Sequence, residues 1–144
     1  MSINKTASAR WQGSIKNGKG TVSTESGVLK EAPYDFRQRF EGEAGSNPEE
    51  LIGAAHASCF SMALSLILGD AGMEAESIDT TATVTLAEDR EGGFHIPSIH
   101  LVTRVKMPGA HKETFEECAE KAKGGCPVSK LFNADITLEA TLES

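Results

Sequence analysis

The chain has 144 residues, with 14 basic and 21 acidic side chains and a formal net charge of −7. Its length suits one compact domain. The negative charge argues against nucleic acid as a partner, because phosphate backbones attract surfaces rich in lysine and arginine. The first residues do not begin the apolar segment of a signal peptide, so we expect a cytoplasmic location. Three cysteines do not make a disulfide framework, and in a reducing cytosol any disulfide would be transient and functional.

The first forty residues contain the turn residues and short alternating runs that are typical of small β-strands. A strand is predicted from Ala7 to Ser14, and Asn17-Gly18 predicts a hairpin turn because both residues tolerate positive φ. Further strands are predicted over residues 21–24 and 27–29. The segment from Phe36 to Glu41 is predicted to be one more short strand.

A long helix is predicted from Pro48 to Leu68. Asn47 is a good N-cap, Pro48 fits the first turn, and Glu50 stands three residues after the cap, as in a capping box. The helix is apolar almost all round, which predicts a central, buried helix, packed either within one chain or at a subunit interface. Its polar interruptions and the lack of a flanking basic cluster favour a core helix over a membrane helix.

The second half of the chain alternates more regularly. Residues 77–86 and 94–106 each alternate apolar and polar side chains around a glycine-rich turn, which predicts a hairpin with long arms. Helices are predicted over residues 114–123 and 128–132, and a last strand over 136–142. Strands and helices occur in blocks, so the predicted fold class is α+β with a mostly antiparallel sheet.

Cys118 and Cys126 lie in different predicted surroundings, and these surroundings suggest different roles. Cys118 falls on the apolar stripe of its helix and is predicted to be a core residue. Cys126 lies between Gly124-Gly125 and Pro127, at or near a helix N-cap. Amide groups and the helix dipole stabilise a thiolate at such a position, but a cysteine that merely fits a tight turn is an equally good interpretation.

Cys59 lies more than three turns into the long helix, beyond the reach of the helix dipole. Burial by itself would raise the pKa of its thiol. From local sequence alone, Cys59 is therefore an inert core residue unless a cation approaches it from elsewhere in the fold. The candidate cations are Arg37, Arg39, Lys130 and a protonated His56.

Three segments carry a recognisable pattern: Arg39-Phe40-Glu41-Gly42, Asn47 to Leu64 with Ala55-His56-Ala57-Ser58-Cys59, and Ala122 to Ser129 with Gly124-Gly125-Cys126-Pro127. Together they resemble the OsmC/Ohr family of small bacterial thiol peroxidases, and residues 18–29 resemble its OsmC branch. The resemblance covers essentially the whole chain. It implies one OsmC-like domain over residues 1–144 and an intertwined homodimer of α+β subunits with two active sites at the interface.

The resemblance also implies a role for each site residue. Cys59 would be the peroxidatic thiol, Cys126 the resolving thiol, and Arg39, oriented by Glu49, would hold the Cys59 thiolate, with Arg37 as a nearby alternative. Attack on an organic hydroperoxide would release an alcohol and leave a sulfenic acid on Cys59. A disulfide with Cys126 would follow, and an external dithiol would reduce it, the resemblance suggesting a dihydrolipoyl group on a carrier protein. No cofactor or metal is expected.

Helix geometry constrains this assignment. Glu49 and Cys59 are ten residues apart on one predicted helix, which is about 15 Å along its axis. A glutamate cannot bridge that gap, so we expect the partner subunit to supply Glu49 to each Cys59 site. Apolar side chains would bind the organic tail of the substrate, a tail that hydrogen peroxide lacks. The candidate substrate contacts, each of which could instead be a core residue, are Phe36, Phe40, Phe60 and Met62.

Functions of other classes are also compatible with these residues. His56, one helical turn before Cys59, could be the base of a cysteine hydrolase, although no third group is evident to orient its ring. His56, Cys59 and Cys126 could supply three metal ligands, but no fourth is obvious. The chain could also be a thiol redox sensor without turnover.

Overall fold

The computed structural model describes all residues from Met1 to Ser144. The chain forms two compact units, Met1–Leu51 and Ile52–Ser144. Each unit contains a three-stranded sheet, and a long helix begins in the first unit and continues through the second. The α+β class is confirmed, whereas the expectation of a single domain stays a prediction.

The first unit contains an antiparallel sheet with the strand order β1-β2-β3. Its strands are β1 (Ala7–Gln12), β2 (Lys19–Thr24) and β3 (Ala32–Tyr34). The predicted β1–β2 turn is present, with the Gly18 N–H donating to the Ser14 carbonyl at 2.7 Å. The strand predicted over residues 27–29 was wrong. The hydroxyls of Thr24 and Ser26 accept backbone N–H groups there, which favours a loop.

A helix replaces the short strand that was predicted after β3. Helix α1 spans Phe36–Phe40, and the Asp35 carboxylate caps it by accepting a hydrogen bond from the Gln38 N–H at 3.0 Å. The rings of Phe36 and Phe40 lie one turn apart, with centroids separated by 5.0 Å. The strand prediction was wrong because an aspartate N-cap and an aromatic i,i+4 pair both favour a helical turn.

Helix α2 (Pro48–Asp70) begins as predicted, with the Glu50 N–H donating to the Asn47 side chain at 2.8 Å. Its buried residues, however, form one stripe, and Met62 and Leu66 are 77% and 66% exposed. The predicted burial of the helix is therefore seen on one side in the single chain, and burial of the other side at a subunit interface stays a prediction. Within the second unit, the buried stripe of α2 consists of Gly53, His56, Phe60, Leu64 and Leu68.

By length and composition alone, α2 could cross a membrane, since an 18-residue window of it has a mean hydropathy of 1.8. Within the single chain, 28% of that window is buried. Core helices of soluble proteins meet the same two criteria, so hydropathy does not separate the two possibilities. The contacts of α2 with the second sheet are those of a core helix: the Ser61 hydroxyl, for example, donates to the Thr80 hydroxyl at 2.8 Å.

The second unit is a sheet with helices packed on one face. The strand order is β4-β5-β6, with β4 antiparallel and β6 parallel to β5. The predicted long-armed hairpin is confirmed, with Ile78 paired to Val105 and Val84 to Ile99. Its remaining elements are β4 (Ser77–Glu88), β5 (Phe94–Lys106), α3 (Lys112–Gly125), α4 (Pro127–Leu131) and β6 (Asp135–Glu143).

The core of this unit lies between the sheet and helices α2 and α3. Ile99, Leu101 and Val105 of β5 are at most 1% exposed and belong to one cluster with Phe60 of α2 and Phe115 of α3. Each such side chain contributes about 1.5–3 kcal/mol when it is fully buried. This cluster fixes the middle of α2 and the end of α3, the two places where the cysteines of interest lie.

Candidate functional site

The two cysteines singled out in the sequence are in contact within the second unit. Cys59 lies mid-way along α2, and Cys126 is both the C-cap of α3 and the N-cap of α4. Their Sγ atoms are 2.9 Å apart, and both thiols are free. The Cys126 N–H donates to the Ala122 carbonyl at 3.0 Å, and its own carbonyl accepts from the Lys130 N–H at 3.1 Å. The backbone of Cys126 is therefore held by both helices that meet there.

The two sulfurs differ in their access to solvent. Cys126 is 0% exposed, whereas Cys59 is partly exposed. A small solute approaching this unit from water would therefore meet the sulfur of Cys59 first.

The surroundings shift the acidity of the two thiols in opposite directions. Burial raises the pKa of Cys59, and the hydrogen bond shared with Cys126 raises that pKa further. Burial also acts to raise the pKa of Cys126, but hydrogen bonds from Cys59, Ser129 and Val128 outweigh it, and the pKa of Cys126 is lowered. Within this unit Cys126 is thus the more acidic thiol, and Cys59 requires a cation to become a thiolate near neutral pH.

His56 makes a contact that its position in the sequence did not predict. Its Nε2 lies 2.7 Å from the Ser129 hydroxyl, and both side chains are buried. The ring also meets Phe132 edge-on, with 5.4 Å between centroids. Burial lowers the pKa of His56, so the imidazole is neutral near pH 7. His56 is therefore not the cation that Cys59 requires, and the candidate Lys130 is exposed.

Ser129 was missed by the sequence reasoning. It lies one helical turn after Cys126, in Cys126-Pro127-Val128-Ser129, and this spacing is the only local signal for it. Its partner His56 is 73 positions away, so only the tertiary fold reveals the pair.

The predicted partners Arg39 and Glu49 form an ion pair in the first unit. The Arg39 Nε and Nη2 donate to Glu49 Oε1 at 3.1 and 2.9 Å. The Glu49 side chain is 11% exposed and that of Arg39 is 38% exposed. The carboxylate therefore orients the guanidinium and leaves Nη1 outside the pair. Arg37, the alternative, instead forms exposed ion pairs with Glu41 and Glu43.

The four candidate substrate contacts fall into different surroundings. Phe36 and Phe40 lie on one face of α1, and the Arg39 guanidinium carbon is 5.4 Å from the Phe40 ring centroid. Phe60 is 0% exposed, so the prediction that it contacts substrate is corrected to core packing. Met62 is 77% exposed, one turn after Cys59, and its apolar surface is uncovered in the single chain.

The geometry bears on the alternative functions as well. A hydrolase would need an imidazole directed at Cys59, but the hydrogen bond of His56 goes to Ser129 instead. No group of three or more His, Cys, Asp or Glu side chains is placed to hold a metal ion. The arrangement that remains is a pair of adjacent thiols, which is suited to reversible disulfide chemistry.

Comparison with known proteins identifies the family. A family model described as OsmC-like protein matches residues 40–141. The chain is 58% identical over 144 residues to Peroxiredoxin OsmC of Escherichia coli (strain K12), covering 100% of both chains. The chain belongs to the OsmC family. The resemblance inferred from the cysteine motifs is thereby confirmed.

Proteins of the Ohr type are similar to this OsmC-family chain in sequence and in fold. The organic hydroperoxide resistance protein OhrB of Bacillus subtilis (strain 168) is 30% identical over 122 residues, which is 83% of this chain and 88% of OhrB. The crystal structure of Bacillus subtilis OhrB matches with a TM-score of 0.72 and 26% identity, covering 96% of this chain and 98% of OhrB. An organic hydroperoxide resistance protein from Elizabethkingia anophelis gives a TM-score of 0.71 at 28% identity, covering 100% and 99% of the two chains.

Proposed function

We propose that this chain is a cysteine-based peroxidase that reduces organic hydroperoxides to alcohols. The observation that carries the proposal is the 2.9 Å contact between the sulfurs of Cys59 and Cys126. Relatives named peroxiredoxin and organic hydroperoxide resistance protein support the same activity. In this proposal one domain, residues 1–144, carries out the reaction in the cytoplasm.

Cys59 is the thiol that attacks the peroxide. Its partial exposure supports this role, because the sulfur of Cys126 is fully buried and a substrate cannot reach it first. The Cys59 thiolate bonds to the terminal oxygen of the hydroperoxide, the O–O bond breaks, and the alkoxide takes up a proton and leaves as the alcohol. Cys59 is then a sulfenic acid.

Cys126 resolves this intermediate. Its thiol first releases a proton, and the thiolate sulfur then attacks the sulfenic sulfur. The S–O bond breaks, and the hydroxide that leaves takes up one proton to become water. The lowered pKa of Cys126 supports this role, because the attacking species is a thiolate. An external dithiol then reduces the Cys59–Cys126 disulfide by exchange, and a lipoylated carrier protein is the reductant that we propose.

Arg39 supplies the cation that Cys59 needs, and Glu49 orients it. Burial raises the pKa of Cys59, and a guanidinium close to the sulfur would offset that shift. Glu49 accepts two hydrogen bonds from Arg39 and so orients the guanidinium. Ten residues of helix separate Glu49 from Cys59, about 15 Å, so we propose that the pair comes from the partner subunit.

A homodimer is therefore part of the proposal. Met62 and Leu66 expose apolar surface on the side of α2 that faces away from the core, which supports a second copy of the chain as the covering surface. In the dimer, the organic tail of the substrate would contact Phe36, Phe40 and Met62 beside Cys59. Burial of that tail favours organic hydroperoxides over hydrogen peroxide by about 25 cal/mol per Å² of apolar area.

The deciding experiment is rapid mixing of the reduced protein with cumene hydroperoxide. We compare wild type with Cys59→Ser and Cys126→Ser, and use Cys118→Ser as the control because Cys118 is a core residue of α3. Cys59→Ser should lose the fast consumption of peroxide. Cys126→Ser should keep that fast step but accumulate a sulfenic acid that a dimedone-type probe traps.

Two outcomes would reject the proposal. Fast peroxide consumption that survives in Cys59→Ser would assign the attack to Cys126. A single turnover without steady-state consumption in the presence of dihydrolipoamide would indicate a thiol sensor rather than an enzyme.

A further inference from the structure

Two contacts, one helical turn apart, join helix α2 to helix α4. The first is the contact between Cys59 and Cys126, whose sulfurs are 2.9 Å apart. The second joins His56, three residues before Cys59, to Ser129, three residues after Cys126, at 2.7 Å. Residues three apart on a helix lie on the same face, so the His56–Ser129 contact stands directly beside the thiol pair.

The His56–Ser129 pair is built into the protein interior. His56 is 0% exposed and Ser129 is 7% exposed, and they are two of the four buried polar side chains of the chain. Buried polar side chains that bond each other across two helices hold those helices in one arrangement, because any shift leaves both groups unsatisfied. Helix α4 is only five residues long, and the His56–Ser129 hydrogen bond ties it to α2 one turn from Cys126.

We propose that His56 and Ser129 are positioning residues that hold Cys126 in place to attack oxidised Cys59. The inference rests on the proposed function, since it assigns a role in the second chemical step. The neutral imidazole donates from Nε2 to the Ser129 oxygen, and the Ser129 hydroxyl proton is then directed at the sulfur of Cys126. Ser129 and His56 keep their protons throughout, and the step itself remains the exchange of an S–O bond for an S–S bond with release of water.

The hydrogen bonding at Cys126 fits this assignment. Burial acts to raise the pKa of Cys126, and hydrogen bonds from Cys59 and then from the amide and hydroxyl of Ser129 help to lower it. The other ring nitrogen, Nδ1, is buried without a hydrogen-bond partner in the chain. If Nδ1 carries no proton, no N–H donor is left unsatisfied at that buried position. The ring proton is therefore assigned to Nε2, which faces Ser129.

The test separates the two chemical steps by rapid mixing with cumene hydroperoxide. Peroxide consumption reports the attack by Cys59, and alkylation followed by mass spectrometry reports disulfide formation. Ser129→Ala and His56→Leu should leave the first step within twofold of wild type and slow disulfide formation about fivefold or more, the size expected for one lost hydrogen bond. Ser129→Thr and His56→Gln, which retain a hydroxyl and a donor, should restore most of the rate.

A matched control shows whether the effect is local. Ser61 also lies on α2 and donates to the Thr80 hydroxyl of β4 at 2.8 Å, so its hydrogen bond does not involve a residue of α4. Ser61→Ala removes a comparable hydrogen bond and should leave disulfide formation unchanged. If Ser129→Ala forms the disulfide at the wild-type rate, or slows it no more than Ser61→Ala, the positioning role is wrong.

A second oxidant, diamide, tests the positioning role independently of the proposed peroxidase activity. Diamide converts two thiols to a disulfide and is itself reduced to a hydrazine, so it needs no peroxidase activity. Diamide should form the Cys59–Cys126 disulfide more slowly in Ser129→Ala than in Ser129→Thr. Failure of peroxide consumption in wild type together with this diamide result would reject the peroxidase and leave the positioning of Cys126 intact. Equal diamide rates in the two variants would reject the positioning role by itself.

Discussion

Glu49 accepts both of its hydrogen bonds from Arg39 on a single oxygen, Oε1, at 3.1 and 2.9 Å, while its Oε2 is buried without a partner in the chain. The Nε edge of the guanidinium is thus committed to the carboxylate. A planar group fixed along one edge presents its remaining N–H groups in a defined direction. This geometry makes Arg39 a better candidate than the exposed Arg37 for holding a thiolate.

Replacing Arg39 with lysine should slow the attack of Cys59 on cumene hydroperoxide by about tenfold to a hundredfold. The lost contact is a hydrogen bond to a charged group, which is worth about 1.5–3 kcal/mol, and an ammonium cannot reproduce the oriented fork. The measurement is the rate of the fast phase across pH, whose midpoint should move to higher pH in Arg39→Lys. Arg37→Lys is the control and should match wild type. Equal effects of the two substitutions would contradict the assignment.

Mixed dimers test whether the pair acts across the subunit interface. Neither Cys59→Ala nor Glu49→Ala homodimers should consume peroxide rapidly. A dimer of one chain of each kind should regain about one working site, because the intact Cys59 of one chain would meet the intact Glu49 of the other. Two different affinity tags isolate the mixed species. Absence of activity in confirmed mixed dimers would indicate that Glu49 serves the Cys59 of its own chain.

A charge on the exposed side of α2 should separate the subunits. Leu66 is 66% exposed in the single chain, and Leu66→Glu would place a carboxylate in the proposed apolar interface, where burial of an unpaired charge is costly. Light scattering after size exclusion should give the monomer mass, and the apparent activity should fall. Thr81→Glu, on the exposed face of β4, is the control and should remain a dimer. A wild-type monomer, or partition of wild type into detergent as a membrane protein, would overturn the proposed covering of α2.

Much of the second unit could be predicted from sequence because its signals are local and long. The strand Phe94–Lys106 was predicted with its bounds, since the alternation from Ile99 onward and the glycine-rich turn before Phe94 leave little ambiguity. The five residues of α1 are too few to show a period, and the strand predicted there overlooked the capping signal of Asp35. The exposed side of α2 was unpredictable in another way, because apolar composition does not say whether the neighbour is the same chain or another one.

The functional site could likewise be predicted from local sequence only in part. The proximity of Cys59 and Cys126 was expected only through the family resemblance, because 67 positions separate them and no local pattern joins them. The pairing of Arg39 with Glu49 was also expected only through the family resemblance. Ser129 carried no signal of its own beyond its spacing from Cys126, since a serine in a short helix is usually a surface residue.

The buried imidazole of His56 should make the stability of the protein depend on pH. Burial lowers the pKa of His56 in the folded chain below its ordinary value of 6.5. Below about pH 6.5, the unfolded chain therefore binds a proton that the folded chain does not, and stability falls as the pH falls. The contribution of His56 is fully present above that pH, and one proton corresponds to at most about 1.4 kcal/mol per pH unit.

Urea unfolding followed by circular dichroism, at several pH values between about 5 and 8, measures this dependence. His56→Gln keeps a donor toward Ser129 but cannot titrate, so its stability should fall less steeply than that of wild type on acidification. Ser61→Ala is the control, because it removes a hydrogen bond of α2 but no titratable group and should leave the slope of wild type unchanged. A slope in His56→Gln as steep as in wild type would mean that His56 takes up its proton equally well in the folded chain, which its burial against Ser129 and Phe132 argues against.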